Sequence, residues 1–96
     1  MDLQKIINQE NVTLVDVRES FETFFGVAKG ATKIPLRTIK KRVNEFHKMS
    51  KPIVVYCRSG NRSAKAMNYL KAQGILQVYN GGSLTNIRKL LKIKQN

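Results

Sequence analysis

The stretch "VVYCRSGNRSAKAM" (Val54–Met67) passes from an apolar, β-branched run to a polar loop and then to a helical pattern. With Pro52 and Ile53 ahead of it, the run reads as a strand covered on both faces, the pattern of a central strand in a parallel sheet. Arg62–Gln73 follows as a helix, with Ala66, Met67 and Leu70 facing inward and Gly74 as its stop. Between strand and helix lie Cys57, Arg58, Ser59, Gly60, Asn61 and Arg62, and Cys57 is the only cysteine of the chain.

The alternation continues on both sides. Asp2 can cap a short helix, "LQKIINQ", and "VTLVDV" (Val12–Val17) reads as a buried strand. "ESFETFFG" predicts a short helix or turn ended by Gly26, and Pro35 makes "ATKIPL" a brief extended piece. Leu36, Ile39, Val43 and Phe46 recur at helical spacing and predict a helix over Leu36–Met49, with His47 at its surface. "ILQVYN" is a further strand, Gly81-Gly82 reads as a tight turn, and Leu84, Ile87, Leu90 and Leu91 form the inner stripe of a last helix. Strands alternating with helices give an α/β fold with a mostly parallel central sheet. Such sheets bind ligands at the carboxyl ends of their strands, and Cys57 stands at one of those ends.

Ninety-six residues fit one domain, 1–96, since a second unit would lack the length to bury its own core. No apolar run approaches the roughly 18–20 residues of a membrane span, and the amino terminus lacks the pattern of a signal peptide. One cysteine makes no internal disulfide and excludes paired-cysteine zinc sites, so neither metal nor cofactor is expected and a reducing cytoplasm is the simplest home. The charge is uneven. All six acidic residues lie in the first 45 positions beside eight Lys and Arg, whereas residues 46–96 carry ten Lys and Arg and no acid. A field of that sign attracts anions, small oxyanions or nucleic acid alike.

The loop narrows the choice. Gly60 and Asn61 tolerate positive φ, which lets successive N–H groups converge on the sulfur, while the following helix points its positive end the same way. Arg58 and Arg62 add charge. These influences favour thiolate over thiol and welcome an incoming anion, so Cys57 is the candidate nucleophile. A lone cysteine at a strand end is ordinarily a small buried hydrophobe. A polar loop with two arginines has no place in that plainer reading.

These residues resemble the single-domain rhodanese family of thiosulfate sulfurtransferases over nearly the whole chain. The shared pieces occur in family order: "LVDVRE" (Leu14–Glu19), "FGVAKGATKIPL" (Phe25–Leu36), "KPIVVYCRSGNRS" (Lys51–Ser63) and "VYNGGSL" (Val78–Leu84). The resemblance implies a rhodanese-like three-layer α/β domain and a ping-pong persulfide cycle. Cys57 takes sulfur from a small anionic donor such as thiosulfate. It passes the sulfur to an external thiol, cyanide or a protein acceptor. The resemblance also makes Arg58, Ser59, Gly60, Asn61 and Arg62 the persulfide-binding loop, and places Asp16, Arg18 and Ser63 behind it as braces. Two departures stand out: Gly26 is followed by Val27 where the family often has His, and the region of Asn86 and Ile87 lacks the family's frequent Trp.

Two other classes compete. A cysteine phosphatase or arsenate reductase also takes a tetrahedral anion. However, related phosphatases space Cys and Arg by five residues rather than the four found here, and no second cysteine exists to resolve an arsenate intermediate. A rhodanese-like module that only binds a partner is the other. Tyr56, Tyr69 and Tyr79 are too scattered to form a stacking platform, which disfavours nucleic acid. A monomer with no membrane contact suits the size.

Overall fold

The computed structural model describes residues 2–94, without the side chains of 92–94. In chain order it contains α1 (Leu3–Ile7), β1 (Thr13–Asp16), α2 (Ser20–Thr23), β2 (Thr32–Lys33), a 3-10 stretch (Leu36–Arg42), α3 (Val43–Lys48), β3 (Ile53–Cys57), α4 (Asn61–Ala72), β4 (Val78–Ser83) and α5 (Leu84–Lys94). The four strands form one sheet in the order β2-β1-β3-β4, and every pairing is parallel. The fold is therefore α/β with a wholly parallel sheet.

β3 shows why its sequence is continuously apolar. Ile53, Val55 and Cys57 pack with Ala66, Leu70 and Phe46 on the face covered by α4, α3 and the 3-10 stretch. Val54 and Tyr56 pack with Ile7 and Ile87 on the face covered by α1 and α5. Successive side chains of a strand alternate in direction, so the parity of position 57 sends the thiol toward α4. The length of β3 then brings that thiol to the carboxyl edge of the sheet.

Three elements differ from the expectation. The helix over Leu36–Met49 is split, because Leu36–Arg42 winds as a 3-10 stretch before α3 begins at Val43. The 3-10 stretch still buries Ile39, so the apolar spacing serves both windings. Helix α4 begins at Asn61 rather than Arg62, and positive φ in the loop is confined to Gly60, at 99°. Asn61 has joined the helix instead. Gly81-Gly82 lies within β4 and is not a turn.

The glycine pair has a packing reason. A Cβ on Gly81 would fall 2.6 Å from Ile87 Cδ1 and 2.7 Å from Val54 Cγ1, so only glycine lets α5 close on the sheet there. Between Val55 and Cys57 the register of β4 slips: Val55 faces Asn80 and Cys57 faces Ser83. The extra residue forms a bulge beside the Cys57 loop, where bulges commonly re-aim side chains. Among the described residues no helix is long and apolar enough to cross a membrane.

Candidate active site around Cys57

Cys57 ends β3 and is fully buried. Its sulfur accepts a hydrogen bond from the N–H of Gly60 at 3.0 Å and lies 3.4 Å from the Ser63 hydroxyl. Gly60 makes the turn possible. Its φ of 99° is strained for any residue with a side chain, and a Cβ there would meet the backbone of Gly82 at 3.4 Å. Burial pushes the thiol up, but the Ser63 hydroxyl and the N–H groups of Ser63, Gly60 and Ser59 outweigh it. Together they bring the thiol down to about 7. The Gly60 N–H and the Ser63 hydroxyl at the start of α4 thus stand closest to the sulfur.

Ser63 is shared between two claims. It donates to Asn80 Oδ1 at 2.6 Å, and Asn80 Oδ1 also accepts from the N–H of Gly82 at 2.9 Å. Asn80 Nδ2 donates to the Gly60 carbonyl at 3.0 Å. A serine hydroxyl has one proton, so with Asn80 as its acceptor it can only receive from the neutral thiol. Once the thiol ionises it has no proton to give, so in that state only the Ser63 hydroxyl can donate between the two. Asn80 had no role in the sequence reading. Its signal was a polar residue at a strand end, next to a glycine pair.

The arginines divide. Arg62 is gripped by Glu22 through two bonds, Nη1 to Oε1 at 2.6 Å and Nη2 to Oε2 at 2.8 Å. The hydrogen-bonded Arg62 guanidinium holds the Glu22 carboxyl down at about 2. Glu22, and secondarily the Cys57 sulfur, raise Arg62 above its ordinary range. Arg62 therefore stands by the sulfur with its charge largely answered, and it is an anchor to α2 more than a free cation. Arg58 and Ser59 are exposed, and Arg58 has no ion-pair partner among the described residues. Glu22 was also missed by the sequence reading, since nothing local marks it as a partner of a residue 40 positions away.

Asp16 and Arg18 are not a surface pair. Asp16 is fully buried and Arg18 nearly so, with Arg18 Nη2 2.8 Å from Asp16 Oδ2. The Asp16 hydrogen bond raises Arg18 further, against the effect of burial. Arg18 Nη2 also donates to the Gly26 carbonyl at 2.9 Å, and Tyr56 Oη accepts from the N–H of Ala28 at 2.9 Å. The pair thus holds the segment after α2 and reaches the loop only indirectly, through Glu22 and Arg62. Where the family's Trp is absent, Asn86 donates to the Gly81 carbonyl at 2.8 Å and Ile87 fills the space against Gly81. Val27, at the place of the family's frequent His, is half-buried.

A groove of about 370 Å³ lies elsewhere, lined by Leu36, Arg37, Ile39, Lys40, Lys65 and Tyr69, and no residue of the Cys57 loop borders it. The described residues contain no cluster of His, Cys, Asp and Glu able to hold a metal.

A parallel α/β sheet with a low-pKa cysteine cradled at a strand end defines a class of thiolate proteins. Within that class, residues 1–84 match the pattern of the rhodanese-like domain, and the chain belongs to that family. It is 38% identical to a protein named sulfurtransferase from Allochromatium vinosum, over 94% of this chain and 85% of that one. It is also 31% identical to a tRNA uridine(34) hydroxylase from Agrobacterium fabrum, covering 93% of this chain but only 31% of that longer protein. The fold superposes on a rhodanese-like domain protein from Staphylococcus aureus with a TM-score of 0.75 and 34% identity, covering 90% and 82% of the two chains.

Proposed function

We propose that the protein is a sulfurtransferase that carries sulfane sulfur as a persulfide on Cys57. The observation that supports this most is the Gly60 N–H at 3.0 Å from a sulfur whose pKa lies near 7, at the start of a helix and next to an arginine that has no ion-pair partner among the described residues. The family membership and a relative named sulfurtransferase point the same way.

The cycle has two displacements. The Cys57 thiolate attacks the outer sulfur of thiosulfate, a new S–S bond forms, and the old S–S bond breaks with its electron pair leaving on sulfite. An acceptor thiolate or cyanide then attacks the terminal sulfur and releases the Cys57 thiolate. No oxidant or reductant is consumed. Both steps bring anions together. Arg58, the helix end and the loop amides offset that repulsion, and they stay in place through both steps. Cys57 itself is buried, and the two residues that follow it, Arg58 and Ser59, are exposed. The reading includes a reducing, cytoplasmic setting and a monomer that needs no cofactor.

Mass spectrometry tests the covalent intermediate. Thiosulfate treatment should add one sulfur atom to the intact protein and none to Cys57→Ser. Cyanide should remove it as thiocyanate. A wild-type chain that gains no sulfur from thiosulfate or from a persulfide donor would sink the proposal.

A further inference from the structure

Three phenylalanines stand where a core residue would not. Phe21, Phe24 and Phe25 are 75%, 77% and 90% exposed, and the rings of Phe24 and Phe25 meet edge to face with centroids 5.0 Å apart. Clustered exposed aromatic surface of this kind marks interaction sites. Its position is specific. Phe21 precedes Glu22, the residue that grips Arg62 in the first turn of α4, directly after the Cys57 loop. Phe25 precedes Gly26, whose carbonyl is held by Arg18. The patch is thereby tied at one end to the helix that follows the active-site loop and at the other to the sheet.

The rim is cationic. Two acids lie in this segment, Glu19 and Glu22, and both are spent on arginines, Arg37 and Arg62. On the far side, Arg88 of α5 reaches the segment, its Nη2 only 3.7 Å from where a Gly26 Cβ would stand. Arg88 is exposed, as is Arg58 beside the sulfur. Neither a small thiol nor cyanide has use for three aromatic rings. A bulky acceptor does.

We propose that Phe21, Phe24 and Phe25, with Arg88 at their rim, dock a protein acceptor of complementary character: an acidic segment with apolar side chains that presents a thiol to the Cys57 persulfide. This rests on the sulfurtransferase reading. The acceptor thiolate forms a bond to the terminal sulfur as the bond to Cys57 breaks, so Cys57 leaves as thiolate and the acceptor holds the persulfide. The aromatic rings supply apolar contact and Arg88 selects the acidic partner.

The probe is a short peptide with one Cys among alternating Glu and Leu, compared with a matched Lys and Leu peptide. Wild-type protein should transfer sulfur to the acidic peptide with kcat/KM at least about tenfold above the basic one. The double variant Phe24→Ser/Phe25→Ser should lose about tenfold on the acidic peptide, mainly in KM, with thiosulfate-to-cyanide turnover unchanged within about twofold. Arg88→Glu should weaken use of the acidic peptide alone. Fluorescence anisotropy with a labelled Cys-to-Ser form of the peptide reads docking without chemistry. Phe-dependent peptide binding in a protein that never forms a persulfide would refute the sulfurtransferase reading and keep the surface. Equal use and equal binding of both peptides by parent and double variant would overturn the docking proposal. So would Phe-dependent binding of an RNA hairpin with none of the peptide.

Discussion

The Cys57 thiol sits between opposing influences, and its chemistry depends on which wins. Burial among apolar residues disfavours charge, while Ser63 and three backbone N–H groups favour it and prevail. An unperturbed thiol titrates near about 8.5. The folded value of about 7 is lower, so the group contributes stability that is fully present above the unfolded pKa. That contribution is lost as pH falls through about 7. The ultraviolet absorbance of the thiolate in the native protein should rise with a midpoint near 7, and it reports one site because the chain has one cysteine. Ser63→Ala should move the midpoint upward and slow persulfide formation below it. An unchanged midpoint would mean that Ser63 serves Asn80 alone.

Element α2 is short, four residues, and it has no tertiary weight of its own beyond Thr23. It holds its place through bonds at both ends. Glu19 and Glu22 form a reciprocal capping box at the start. The Arg18 bond to Gly26 follows its end. Glu22 then ties α2 to the helix that follows the Cys57 loop. Glu22→Gln should cost about 1 kcal/mol of stability, the worth of a partly exposed charge-assisted pair. It should also free Arg62, and thiosulfate turnover should fall as the loop loosens. The sign with pH follows from the lowered carboxyl. Its stabilisation is present above the ordinary carboxylate range and lost as pH falls through about 2. In acid titrations followed by circular dichroism, the difference between parent and Glu22→Gln should therefore shrink toward low pH. A constant gap down to pH about 2 would contradict the assignment.

Across the whole molecule the net charge is +12, a field that would draw in a dianionic donor such as thiosulfate. Screening over a Debye length of about 3 Å at 1 M salt removes most of it. We expect kcat/KM for thiosulfate to fall several-fold between low salt and about 1 M, and Arg58→Ala to lower the low-salt value and flatten the dependence. Identical slopes for parent and variant would assign the steering to the general field. The parts legible beforehand share a physical trait: they depend on neighbours in the chain. Continuous apolar sequence in β3, helical spacing in α4, glycine at the Gly60 turn and the strand-end position of Cys57 all follow from local periodicity and local sterics. Side chains of Asn80 and Glu22 entered the site from afar, 17 and 40 positions from their partners Ser63 and Arg62, and no pattern along the chain announces such meetings. They depend on four parallel strands ending at one edge, which brings Asn80 of β4 beside Ser63 and the Gly60 carbonyl. The same cause separates the two arginines. Four positions apart in the sequence they look alike, yet one meets a carboxylate in space and the other meets solvent, and that difference belongs to the packing.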